Sequence, residues 1–275
     1  MPKASEAHSS PKATGQAGKA VAIRRDGPIA TIVIDRRETR NALTDDVLDG
    51  LVDAVEQLAT DPEMRVAVLR GAGQQSFGSG MDLNELRKLT PVTAQAHFDQ
   101  LNRCLNAIEC APFPVIAMVY GFAVGGGCEL AAACDLRIGA AGARIGVPVG
   151  RFGHCPDREN LRRLLRLVSP AAVKAMIMTD MLFSAEEARQ MGYFNWVVPD
   201  ATLEPFTYAI AQTIAQKSPL GLRALKQVLA EVGEGSIAHA EDPTKDTVTS
   251  LWATADFQEG VAAFFEKRVP RFRGV

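Results

Sequence analysis

An α/β fold with parallel strand pairing is predicted by three observations. Short apolar runs alternate with segments of helical periodicity through residue 150. Two of those runs, Val66–Arg70 and Val115–Tyr120, read as strands buried in the core. Each is followed by a glycine-containing turn, and beyond residue 150 the chain turns mainly helical.

The elements follow in order. Val21–Ile23 and Ile29–Asp35 read as strands joined by the turn Arg25-Asp26-Gly27-Pro28, which predicts a hairpin. Thr44 offers an N-cap, with Asp45 and Asp46 in the first turn. Leu48, Leu51, Val52, Val55 and Leu58 then repeat at helical spacing until Asp61-Pro62 stops the helix. Phe98, Leu101, Leu105 and Ile108 mark a second amphipathic helix, starting near Pro91. After Val115–Tyr120 come a glycine cluster, a short alanine-rich helix at Cys128–Ala133, and strands at Leu136–Ile138 and Arg144–Val147. Pro219–Val232 carries Leu222, Leu225, Val228 and Leu229 on one helical face. Asp256-Phe257-Gln258-Glu259 has the spacing of a capping box, with Asp256 as the cap of a last helix running to about Arg268.

Composition narrows the function. The net charge of −2 gives no sign of a nucleic-acid partner, which would favour a basic face, and leaves room for a local basic pocket for a phosphate-bearing ligand. No apolar run reaches the roughly 18 residues that span a bilayer. Residues 1–19 are polar and rich in small residues, so a disordered arm is expected there. The five cysteines (104, 110, 128, 134 and 155) are odd in number and form no CxxC pair, which fits reduced thiols and a cytoplasmic setting. They form no ligand-spaced cluster with the four histidines, so no metal site is expected.

The chemistry sits on two glycine turns, Ser76-Phe77-Gly78-Ser79-Gly80-Met81-Asp82-Leu83 and Gly121-Phe122-Ala123-Val124-Gly125-Gly126-Gly127-Cys128-Glu129-Leu130. Neither has the Gly-Lys-Ser/Thr of a P-loop. A strand, a glycine turn and a helix start leave backbone N–H groups unpaired at one point. Two such points facing each other can hold a developing oxyanion, although either turn alone is equally served by glycine's freedom to bend.

These turns, together with Arg36, Arg40-Asn41-Ala42-Leu43 and Cys134-Asp135, resemble the crotonase family, the enoyl-CoA hydratase/isomerase superfamily. So do Phe183-Ser184-Ala185-Glu186-Glu187-Ala188, Lys217-Ser218-Pro219 and the Asp256–Arg268 tail; the resemblance covers roughly residues 20–273. It implies a spiral of ββα units at 20–210 and a helical C-terminal trimerisation region at 211–275, assembled as a homotrimer or a dimer of trimers. It implies an acyl-CoA substrate, with coenzyme A arriving as part of that substrate and no other cofactor. The backbone N–H groups of Met81 and Gly126 would form the oxyanion hole, and Glu129 would be the acid/base group. Arg40, Ala42, Ser79, Asp82 and Leu83 would line the CoA site. Lys267 would reach the CoA phosphates, its own subunit's or a neighbour's, or else be a solvated charge.

The sequence departs from the family at telling places. The second glutamate of family hydratases falls in a stretch that here reads Gly146-Val147-Pro148-Val149, and Val149 cannot transfer a proton. Asp157, eight residues further on, resembles a carboxylate used by the dienoyl-CoA isomerase branch, and it has equally the form of a helix N-cap. His154 is a weaker candidate in the same loop, and Met81 stands where alanine is frequent. Hydration of a trans-2-enoyl-CoA is the first expectation. A double-bond isomerase using Glu129 and Asp157 and a non-catalytic acyl-CoA-binding protein are the alternatives, and a thioesterase or decarboxylase is also within the family's range.

Overall fold

The computed structural model of the protein describes residues 20–153, 155–233 and 245–275. The expected N-terminal arm and His154 lie outside these described residues. A hairpin comes first: β1 (Val21–Asp26) pairs antiparallel with β2 (Ile29–Ile34). Helix α1 (Asp45–Ala59) follows, with Thr44 at its N-cap position but without a side-chain cap hydrogen bond.

Three units of two strands and a helical segment come next. The first holds β3 (Val66–Gly71), β4 (Ser76–Gly78), α2 (Leu83–Leu86) and α3 (Pro91–Glu109). The second holds β5 (Val115–Val119), β6 (Phe122–Val124) and α4 (Gly126–Ala133). The third holds β7 (Leu136–Ala140), β8 (Arg144–Gly146), α5 (Arg158–Leu167) and α6 (Pro170–Met178). The remaining elements are β9 (Phe183–Ser184), α7 (Ala185–Gln190), β10 (Trp196–Val198), α8 (Leu203–Ala215), α9 (Pro219–Gly233), α10 (Lys245–Ser250) and α11 (Ala255–Glu266).

Each unit sends its first strand to one sheet and its second strand to another. The larger sheet has the order β1-β2-β3-β5-β7-β10 and the smaller β4-β6-β8-β9. All pairs are parallel except the β1–β2 hairpin and β8–β9. This is the ββα spiral that the family resemblance implies.

The unbroken apolar strands are explained by cover on both faces. Ala67, Leu69, Val115, Ala117 and Val119 point into the main core with α1, α3 and α4. Val66, Val68, Ile116 and Met118 alternate with them and pack a second core against Leu203 and Ala211 of α8.

One capping expectation is overturned. Thr254, not Asp256, caps α11, accepting from the Phe257 N–H at 3.1 Å. Asp256 is 2% exposed and grips the C-terminal tail instead, accepting from the Arg273 N–H (2.7 Å), the Gly274 N–H (3.1 Å) and Ser218 Oγ (2.9 Å). The Asp-x-x-Glu spacing misleads because Glu259 pairs with Arg268 and the Arg271 N–H rather than turning back to the helix start.

Candidate active site

The first and second units bring the two glycine turns into backbone contact. β4 and β6 are parallel neighbours, so the turns that leave them lie side by side. A Cβ added to Gly127 would run into the Gly78 carbonyl, its carbon only 2.6 Å away. Gly80, at φ +93, would meet the Val124 carbonyl oxygen at 2.9 Å and the Gly126 nitrogen at 3.4 Å. Gly125 turns the chain into α4 at φ 54 and ψ −125, a region open to glycine alone.

Met81 and Gly126 therefore sit next to each other, with the Met81 sulfur 3.4 Å from where a Cβ of Gly126 would stand. Neighbouring backbone N–H groups are engaged: Leu43 donates to the Gly80 carbonyl (2.8 Å) and Asp82 to the Leu43 carbonyl (3.0 Å). The N–H groups of Met81 and Gly126 find no acceptor among the described residues. Gly126 opens α4, so its donor also carries the positive end of the helix dipole.

Glu129 lies in the first turn of α4, its N–H bonded to the Gly125 carbonyl at 3.0 Å. The residue is 6% exposed. Burial, and then the Asp157 carboxylate, push its pKa up to about 7, opposed by the Arg163 guanidinium. A carboxyl poised at that value gives and takes protons near neutral pH.

The loop before α1 is tied to the first glycine turn. Arg40 and Asn41 are both left-handed, at φ 57 each. Asn41 is buried and holds this shape by accepting from the Arg36 N–H (3.1 Å) and donating to the carbonyls of Ala72 (3.1 Å) and Ser76 (2.7 Å). Ser79 Oγ donates to the Thr39 carbonyl (3.1 Å), Arg36 donates to the Ala42 carbonyl (3.0 Å) and pairs with Asp82 at 3.7 Å. The loop that carries Arg40 and Ala42 is thus joined to the turn that carries Ser79, Asp82 and Leu83. Leu83 is exposed and Asp82 caps α2. Lys267 stands apart: it is the exposed, left-handed C-cap of α11, and no hydrogen bond or ion pair joins it to these residues.

Asp157 is a helix cap. One carboxylate oxygen accepts from the Asn160 N–H of α5 at 2.9 Å and the other from the Asn102 side chain of α3 at 2.5 Å. Val149 is packed against the main core, so no second carboxylate stands at that position. Burial pushes the thiols of Cys104, Cys128 and Cys134 up to about 12, which leaves them protonated and poor nucleophiles. No group of His, Cys, Asp and Glu among the described residues has the arrangement of a metal site.

Sequence reasoning missed a polar stripe on α3. Asn102, Asn106 and Glu109 face the arginines of α5. Their spacing of four and three residues places them on one helical face, and that spacing was the available signal.

A ββα spiral with two unpaired N–H groups, one of them three residues before a buried, near-neutral carboxyl, has the donors to stabilise a developing negative charge. The sequence profile of the family described as enoyl-CoA hydratase/isomerase matches residues 24–275. The chain is 34% identical over 252 residues to the crotonyl-CoA hydratase of Syntrophomonas wolfei, covering 92% of this chain and 97% of that protein. It is 35% identical to the 2,3-dehydroadipyl-CoA hydratase of Escherichia coli, covering 92% and 98%. A crystal structure of an enoyl-CoA hydratase/carnithine racemase from Magnetospirillum magneticum superposes with a TM-score of 0.90 at 31% identity, covering 94% of this chain and 97% of that one. The chain belongs to the enoyl-CoA hydratase/isomerase family.

Proposed function

We propose that the protein adds water across the double bond of a trans-2-enoyl-CoA. The observation that carries this reading is the juxtaposition of the unpaired Met81 and Gly126 N–H groups with buried Glu129. The thioester carbonyl oxygen accepts from both N–H groups. Glu129 takes a proton from water as the oxygen attacks the β carbon, and electron density moves through the α carbon onto the carbonyl oxygen. The two donors stabilise that enolate. Glu129 then returns the proton to the α carbon, so one carboxyl serves both transfers. Coenzyme A arrives with the substrate, and the chemistry needs no metal or redox group.

Arg40, Ala42, Ser79, Asp82 and Leu83 line the CoA portion, and Lys267 reaches the CoA phosphates in a neighbouring subunit. Residues 20–210 form the spiral core and 211–275 the assembly region of a homotrimer or dimer of trimers in the cytoplasm. The exposed Phe264 and Phe265 of α11 support that assembly. No helix among the described residues is long and apolar enough to cross a membrane.

A second reading, a double-bond isomerase, is favoured by Val149. Isomerisation needs a proton removed and returned but no activated water. The test is incubation with trans-2-enoyl-CoA and 3-enoyl-CoA esters, with products identified by mass spectrometry. Gain of one water by the 2-enoyl ester, lost in Glu129→Gln, is the expected result. Migration of the double bond without water uptake would replace hydration by isomerisation.

A further inference from the structure

Between α3 and α5 lies a part-buried polar network that neither turn of the site uses. Its centre is Arg163, 2% exposed. The Arg163 Nε donates to Glu109 at 3.1 Å and one terminal nitrogen donates to Asn106, which fixes the guanidinium against α3. The other terminal nitrogen, Nη1, donates to the side-chain oxygens of both Asn102 and Asn160, each at 3.2 Å.

Those two asparagines are the residues that hold Asp157. Asn102 turns its oxygen to Arg163, so its amide nitrogen faces Asp157 and donates to one carboxylate oxygen at 2.5 Å. Asn160 offers its side-chain oxygen to Arg163 and its backbone N–H to the other carboxylate oxygen at 2.9 Å. Asp157 and Arg163 are the two charges that act on Glu129, one raising and one lowering its proton affinity.

We propose that Arg163 is a positioning residue that, through Asn102 and Asn160, fixes the Asp157 carboxylate at the start of α5, the helix packed against α4 and its Glu129. A helix cap needs only the Asn160 N–H. The remaining contacts, a part-buried Arg-Asn-Asp chain across two helices, set where the Asp157 charge stands relative to the acid/base group. A lysine at 163 keeps the charge but loses the fork that reaches two asparagines at once.

This inference rests on Glu129 as the group that matters in the proposed function, so its test reads Glu129 without turnover. Infrared titration of the intact protein follows the protonated-carboxyl band that Glu129→Gln removes. Asn102→Leu and Arg163→Lys are titrated alone and in an Asp157→Asn background, beside Asp157→Asn itself. The expected result is that each single variant lowers the proton affinity of Glu129 about threefold, half a pKa unit. Neither changes it further once residue 157 is Asn, because the effect runs through Asp157. Single variants that leave the midpoint in place, or shifts that persist in the Asp157→Asn background, would overturn the proposal, even with a lowered melting temperature. Absence of enoyl-CoA turnover with these shifts present would fall on the proposed function alone.

Discussion

Glu129 is the residue on which stability and the proposed chemistry oppose each other. Its folded pKa is raised from 4.5 to about 7, so the folded state binds this proton more tightly than the unfolded chain. The stability linked to this group is therefore full below about pH 4.5. It falls as pH rises and is lost once the pH passes about 7. The shift corresponds to up to about 3 kcal/mol. Glu129→Gln, which cannot ionise, is expected to unfold at higher denaturant than the parent at pH 8, and with little difference at pH 4.5. Equal midpoints at both pH values would show that the carboxyl is not held in an apolar site. The residue was visible in the sequence as a carboxylate three positions past Gly126, but its neighbours were not. Arg163 and Asn102 lie 61 positions apart in the chain, and no local pattern links them.

At the scale of elements, the site depends on backbones approaching closer than any side chain permits. Gly127→Ala sets a methyl group against the Gly78 carbonyl. It is expected to cost about 2–4 kcal/mol and to separate the turns, with acyl-CoA binding lost in calorimetry. Gly27 is the contrasting case: its φ is +55, but a Cβ there meets nothing within 4 Å. Gly27→Ala is expected to cost about 1 kcal/mol with binding intact. The hairpin, α1, β3 and β5 were legible because each has length and periodicity. The smaller sheet was only partly so. β4 and β6 have three residues each and β9 two, too short for alternation to register, and their partners lie far along the chain. The start of α3 was legible through Pro91, while its capping box was not, because Thr93 occupies the place where Glu or Gln is the usual sign.

For the molecule as a whole, the spiral stacks unit on unit, and the chain end is then tied back to α9 and α11 through Asp256. Asp256→Ala leaves the Arg273 and Gly274 N–H groups and Ser218 without their charged acceptor. A loss of about 2–3 kcal/mol is expected, with earlier tryptic cleavage at Arg271 and Arg273 seen by mass spectrometry. Cleavage unchanged from the parent would show that other contacts hold the tail. The fold class was legible because strands and helices alternate, and the family because several motifs occur in order. Lys267 shows where single-chain reasoning stops: its motif matches, yet the chain alone does not carry it to the site.

The most direct measurement is exchange of the α protons of a saturated short-chain acyl-CoA in deuterium oxide, followed by mass spectrometry. Exchange needs an enolate and a base but neither water addition nor a double bond, so it reads the Met81–Gly126 donors and Glu129 alone. The expected result is deuterium at the α carbon with the parent protein and a loss of at least about a hundredfold in rate with Glu129→Gln. Tight binding of the ester with no exchange, or exchange untouched by that substitution, would contradict the assignment of Glu129 as the group that makes the enolate.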